Sequence, residues 1–241
     1  MKLRCVLPLV LALVASGCAQ AVAAAPLETL ERTIGRGEGP IVVMLHGYGS
    51  APEHFLGLAD RGDLPRGTLL VLPRAPLRIP GHEGHGTMWF ALPHPLGSLG
   101  SDRMPGAVQA RERVTALLDG LSRAHPGRAL ILGGFSQGAM VSLDLALRDP
   151  RPLAGLVLLS GTMIDEEATT ARLDARRGLP VYVAHGTRDT VLAYEGDAHL
   201  VEVMRAHALD VRFTTFDGGH VATPVVSTEL AAFVTRCASA R

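Results

Sequence analysis

Gly134-Phe135-Ser136-Gln137-Gly138 constrains this chain more than any other stretch. It reads G-x-S-x-G. A short apolar run at 129–132 precedes it, and a helical pattern with apolar Met140, Leu143 and Leu147 follows. A serine set between a strand and a helix in this way must occupy a tight, strained turn, which projects its hydroxyl at the top edge of a sheet. A side chain two positions before or after it would collide with the turn, so both places are glycine. The following helix aims its N-terminal amides and the positive end of its dipole at the same spot, which favours an oxyanion there. Matches this short also arise by chance in Gly/Ser loops. The weight therefore falls on the surroundings.

Those surroundings alternate strands with helices. A linker from Pro26 is expected to run into an edge strand near 30–34. Residues 41–45 and 68–72 are continuous apolar runs, the pattern of strands buried on both faces. Residues 105–123 place Val108, Val114, Leu117, Leu118 and Leu121 at mixed helical steps, with Pro105 in the first turn. Then follow strand 129–132, helix 137–148, strand 154–159, a charged helix 165–177, strand 181–184, a helix around 199–207, strand 211–216 and a closing helix 225–237. This alternation predicts an α/β fold with a mostly parallel central sheet and helices on both faces. Residues 74–102 are rich in Gly, Pro and His, have neither periodicity, and are expected to form one long loop. Ligands of such sheets bind beyond the carboxyl ends of the strands.

Composition removes several classes. Apolar residues make up 47% and charged ones 19%, enough to bury a core, so disorder is excluded. Lys plus Arg and Asp plus Glu both total 23, so no basic excess points to nucleic acid. Residues 1–25 stand apart from the expected domain at 26–241. Lys2 and Arg4 precede an apolar stretch at 6–15, broken by Pro8 and too short to span a bilayer, which reads as an export signal. Two cleavage readings stand. Ala15-Ser16-Gly17-Cys18 resembles a bacterial lipobox, and Ala21-Val22-Ala23 fits ordinary signal cleavage. The first is preferred because the small residues end at a cysteine just after the apolar stretch. It predicts a lipoprotein attached to a membrane through Cys18, in the periplasm or at the outer membrane; the second predicts a periplasmic or secreted protein. Cys5 leaves with the signal and Cys237 then has no partner, so no disulfide is expected.

Three predicted strand ends carry chemistry. Ser136 follows the first, Asp189 follows the strand at 181–184, and His220 follows the strand at 211–216. A serine hydroxyl needs a base to become a nucleophile. Imidazole titrates near working pH and can return the proton to the leaving group. A carboxylate behind it fixes the tautomer and stabilises the imidazolium. Singly, each such Asp or His is more often a turn or surface residue. The order Ser, Asp, His is the one that strand–turn–helix serine sites require. Asp217 competes for the acid role, but it is too close to His220 in sequence for a comfortable approach to the back of the ring. A fourth strand end, His46-Gly47-Tyr48-Gly49, offers the backbone amide of Tyr48 beside that of Gln137 as an oxyanion hole. His46 is expected to hydrogen-bond the turn rather than act as a second base.

These residues resemble the esterase branch of the α/β-hydrolase superfamily, which includes carboxylesterases, lysophospholipases and acyl-protein thioesterases. Leu45-His46-Gly47-Tyr48-Gly49 is similar to that branch's oxyanion loop, the motif from Gly134 to Met140 to its nucleophile turn, His185-Gly186-Thr187-Arg188-Asp189-Thr190-Val191 to its acid segment, and Gly219-His220 to its base. The resemblance covers the chain from Ile41 onward and implies no large lid domain. It implies a Ser136–Asp189–His220 triad with Tyr48 and Gln137 as oxyanion donors, an acyl-enzyme mechanism, a small-molecule ester substrate and no cofactor. Met88-Trp89-Phe90 sits where the branch has a Trp-Phe beside the acyl site, so Trp89 is expected to line that pocket, with pinning of the long loop as the alternative. Ser50 stands where cytosolic members often have aspartate.

Other readings are weaker. A thioesterase or polymer-directed esterase would use the same triad. A metal-dependent hydrolase would need His82, His85 and His94, but these lie in a glycine-rich loop without the helix that holds such ligands. A non-catalytic binding protein would be expected to have lost a triad member.

Overall fold

The computed structural model describes residues 25–60, 63–81, 86–92 and 105–239. Strand β1 (Thr29–Thr33) is half exposed, as an edge strand must be. β2 (Ile41–Leu45) and β3 (Leu69–Pro73) are buried at every position, because their apolar runs give no face to water. Between them a 3-10 turn at Pro52–Phe55 runs into α1 (Leu56–Asp60). Within the expected long loop, β4 (Leu77–Arg78) and β5 (Thr87–Met88) pair antiparallel. Then come α2 (Pro105–Ala124), β6 (Leu130–Phe135), α3 (Gln137–Arg148), β7 (Gly155–Leu159) and α4 (Glu166–Thr170). The chain closes with β8 (Pro180–Gly186), α5 (Tyr194–Ala206), β9 (Asp210–Phe216) and α6 (Pro224–Ser239).

The seven-stranded sheet has the order β1-β3-β2-β6-β7-β8-β9, with β1 antiparallel and the other strands parallel. Alternate residues of each strand enter different cores. Val43, Leu45 and Leu132 pack with α2 and α3 on one face; Val42, Met44, Ile131 and Tyr182 pack with α1 and α6 on the other. A third cluster joins β7 and β8 to α3 and α5. Helices thus cover both faces, as the apolar runs demanded.

Two helices differ from expectation. The segment expected as helix 165–177 forms α4 and a separate 3-10 turn at Leu173–Arg176. Asp165 caps α4 by accepting from Ala168 N at 2.9 Å, but the segment has only Thr169 and Leu173 to bury, too little to hold one long helix. The helix expected near 199–207 begins earlier, at Tyr194, with Glu195 and Asp197 in its first turn, where the dipole favours acids. The export segment, with Cys5 and Cys18, lies outside the described residues, as do His82, His85 and His94.

One close approach locks the centre. Ladder partners Leu45 and Gly134 bring the ends of β2 and β6 side by side. A Cβ on Gly134 would lie 2.6 Å from both Leu45 O and Gly138 O. A Cβ on Gly138 would overlap the backbone of Leu45 and come within 2.7 Å of His46 O. Both contacts are with backbone, which cannot move aside as a side chain can. Gly138→Ala is therefore expected to destabilise the fold by about 3 kcal/mol or more, read as a lowered Tm. An unchanged Tm would mean that the two turns have room to separate.

Candidate active site

In a parallel sheet all carboxyl ends share one edge. After β2 the chain moves outward to β3, and after the crossover it returns to β6 on the other side of β2. The crevice between β2 and β6 is thus a switch point, where ligands bind in such sheets. Ser136 stands there, between β6 and α3. Its φ of 54° is a strained value for a residue with a side chain. The strain is held by Ser136 N donating to Leu159 O at 2.8 Å and by Met140 N donating to Ser136 O at 3.1 Å. Ser136 occupies the N-cap position of α3, yet its hydroxyl makes no capping bond. The usual work of a capping serine is left undone.

Asp189 and His220 are joined across two loops. Thr187 N donates to Phe216 O and Arg188 N to Gly218 O, both at 2.9 Å, so the turn after β8 and the turn after β9 form one unit. Gly186 has no room for a Cβ against the backbone of Gly218 and Gly219. The side chain of Asp189 is fully buried, and its Oδ2 accepts from His220 Nδ1 at 2.6 Å. Its Oδ1 accepts from the amides of Val191 and Leu192 at 2.8 and 3.0 Å. Burial pushes the carboxyl's pKa up, but the His220 bond and these amides outweigh it, and the net shift is downward. Asp189 is thus held as an anion. Asp217 faces Arg188 at the surface instead, 2.9 Å away. The ring of His220 packs on Phe135, the residue before Ser136, with centroids 4.8 Å apart.

The β2 side completes the site. A Cβ on Gly47 would come 3.3 Å from Ser136 Cβ, so the turn after β2 lies against the serine. The amide of Gln137, first residue of α3, has no helical acceptor. Among the described residues no turn or loop bond engages it or the amide of Tyr48. His46 is fully buried; its Nδ1 donates to Gly47 O at 2.8 Å and its Nε2 accepts from Ala75 N at 3.0 Å. Burial lowers its pKa, so the ring is neutral and braces the turn, as expected.

Trp89 was expected at the acyl pocket, with pinning of the loop as the alternative. It is 1% exposed, and its indole N–H donates to His46 O at 2.8 Å. That is the geometry of a pin. The buried side chain of Gln137 reinforces it, because Oε1 accepts from Trp89 N at 2.9 Å and Nε2 donates to Phe90 O at 2.6 Å. Sequence reasoning found the amide of Gln137 but not the use of its side chain. A polar side chain directly after the nucleophile and opposite a Trp-Phe pair was the available signal. A cavity of about 340 Å³ lies beside His220, lined by Phe55, Leu58, Phe135, Leu159, Val226 and Leu230 among others. Among the described residues no cluster of His, Cys, Asp and Glu could hold a metal ion.

A hydroxyl on a strained turn, an imidazole backed by a buried carboxylate and amides at a helix start are the parts of nucleophilic acyl transfer. Fold and site define an α/β-hydrolase of the esterase and thioesterase type. The chain belongs to the phospholipase/carboxylesterase family, whose model matches residues 35–238. The acyl-protein thioesterase 1 of Gibberella zeae is 34% identical over 210 residues, covering 78% of this chain and 83% of that protein. The crystal structure of esterase PE8 is 27% identical, with a TM-score of 0.75 over 88% of this chain and 98% of its own. Acyl-protein thioesterase 2 of Zea mays, 21% identical, shares the fold with a TM-score of 0.68 over 88% of this chain and 99% of its own.

The pin has a measurable consequence. Trp89→Phe keeps an aromatic ring but strands the buried His46 carbonyl, at a cost of about 1–3 kcal/mol. The expected result is a lower Tm with an unchanged preference between short and long acyl esters. An altered preference at unchanged Tm would return Trp89 to the pocket wall.

Proposed function

We propose that this protein is a serine hydrolase that cleaves carboxylic esters through Ser136, His220 and Asp189. The observation that carries the reading is the 2.6 Å bond between Asp189 and His220 Nδ1, with the ring seated beside the strained Ser136 turn. With Nδ1 protonated and tied to Asp189, the lone pair of His220 lies on Nε2. That nitrogen takes the Ser136 proton as Oγ attacks the ester carbonyl. The tetrahedral oxyanion is received by the amides of Gln137 and Tyr48 at the positive end of α3. Collapse expels the alcohol, protonated by His220, and leaves an acyl-enzyme that water then hydrolyses by the same steps.

Among the described residues the exposed large hydrophobics are Tyr48, Val191, Val221 and Val225. Tyr48, Val191 and Val221 lie in the turns that carry the proposed site and Val225 in the first turn of α6 beyond them, which supports a substrate with apolar parts. A thioesterase is the second reading, favoured by the relatives named acyl-protein thioesterases. A panel of matched esters and thioesters of graded acyl length separates the two.

Ser136→Ala is expected to lose several orders of magnitude in ester hydrolysis and to escape labelling by a fluorophosphonate. Asp189→Asn should be severely impaired, while Asp217→Asn stays near wild type. Activity surviving in Ser136→Ala would sink the serine mechanism, and a dead Asp217→Asn would move the acid. EDTA should leave the rate unchanged; loss on chelation with recovery on zinc would bring back the loop of His82, His85 and His94.

We also propose that the chain is exported, divides into an export segment at 1–25 and a hydrolase domain at 26–241, and is anchored through lipidated Cys18. The support is the short apolar stretch that ends in small residues and a cysteine. In Cys18→Ser, palmitate labelling should vanish and processed protein should leave the membrane fraction. Wild-type protein found soluble with Ala24 as its N-terminus would establish ordinary cleavage instead.

A further inference from the structure

Behind the acid lies a second buried pair that the mechanism above does not use. His185, near the end of β8, and Asp197, in the first turn of α5, are both fully buried. His185 Nδ1 is 2.7 Å from Asp197 Oδ2. Its Nε2 is 3.0 Å from Leu192 O and 3.2 Å from Asp189 Oδ2. Every partner of this ring is therefore an oxygen of a carboxylate or a carbonyl. A neutral imidazole would turn a bare lone pair toward one of them at close range.

We infer that His185 is held as a buried imidazolium, with Asp197 as its counter-ion, and acts as a positioning residue for Asp189. The inference rests on the triad reading for its consequence, though not for its geometry. Donation to Leu192 O and proximity to Asp189 Oδ2 hold the 189–192 turn so that the carboxylate faces His220. The positive charge also offsets the anion that His220 leans on. Without it His220 would face an unshielded buried carboxylate, would hold its own proton more tightly, and would be a poorer base near neutral pH.

The groups facing His185 are few. Asp197 and the edge of the Tyr194 ring, 6.1 Å away, come from α5, and Asp189 comes from the turn after β8. His220 is reached only through Asp189. From the end of β7, Gly161 N donates to Asp197 Oδ2 at 3.2 Å. The start of α5 adds its dipole in favour of the Asp197 anion. Burial alone pushes the His185 pKa down, but the bond to Asp197 outweighs it and the net shift is upward.

The first test reads ring protonation and does not depend on turnover. In protein labelled with ¹⁵N-histidine at pH 7–8, both ring nitrogens of His185 should carry protons, while His46 shows one, on Nδ1. The His185 signals are assigned by their loss in His185→Gln. A ring nitrogen of His185 without its proton overturns the inference, because the proton would then sit on Asp197 or be absent. The second test is the pH profile of kcat/KM, whose acid limb reports the free enzyme's base. In His185→Gln and Asp197→Asn that limb should move to higher pH by about one unit, so the rate at pH 6 falls about tenfold more than the rate at pH 9. A purely structural role would lower the rate equally at all pH values, and that outcome also overturns the inference. Should Ser136→Ala remain active, the triad reading fails alone, since the ring protonation is measured independently of turnover.

Discussion

The site exists because two backbones touch. The end of β2 at Leu45 and His46 lies against the turn from Gly134 to Gly138 with no space for a Cβ on either glycine. This contact fixes the strained conformation of Ser136, sets the turn of Gly47 and Tyr48 beside it, and aims the start of α3 at the gap between them. Strain of this kind persists only when the surroundings over-determine it. Here the ladder of β6 with β7 continues into Ser136 N and Leu159 O, and Trp89 and Gln137 tie the returning loop to the same point. The serine is therefore held by a rigid frame and not by a flexible loop.

Two buried histidines show how partners decide a proton. His46 Nε2 faces donors, Ala75 N–H at 3.0 Å and the Thr87 hydroxyl at 3.3 Å, and Nδ1 faces one acceptor, Gly47 O, so a neutral ring satisfies both sides. His185 faces acceptors alone. Their links to stability run in opposite directions. His46 has a lowered pKa in the fold, so its contribution is full above about 6.5 and is lost as pH falls through the folded value. His185 has a raised pKa, so its contribution is full below about 6.5 and is lost as pH rises through the folded value. The same residue type thus braces the turn after β2 as a neutral ring and stands behind Asp189 with acceptors on both nitrogens.

Exposed apolar surface gathers near the ends of the parallel strands. Tyr48, Val191 and Val221 lie in the turns after β2, β8 and β9, and Val225 in the first turn of α6. The cavity beside His220 is built from α1, α6 and the ends of β6 and β7. The sheet edge carries the strained serine turn and the Asp189–His220 pair, and α1 and α6 wall the cavity next to them.

The sequence alone determined the sheet, the covering helices and the order of Ser136, Asp189 and His220, because apolar runs, helical spacing and paired glycines are local signals. It also favoured Asp189 over Asp217, since a residue three positions from His220 meets the ring poorly. The early start of α5 was hidden because Asp197, a charged residue, is buried there. The position of Trp89 was not legible either: the distance from a tryptophan to a carbonyl 43 residues earlier depends on how the loop folds back. Most of all, nothing in His185-Gly186 announced a charge. Protonation of a buried ring is set by what surrounds both nitrogens, and here those oxygens come from α5 and the turn after β8. Only the tertiary structure brings them to one ring, because hydrogen-bond satisfaction is a property of neighbours in space and not of neighbours in the chain.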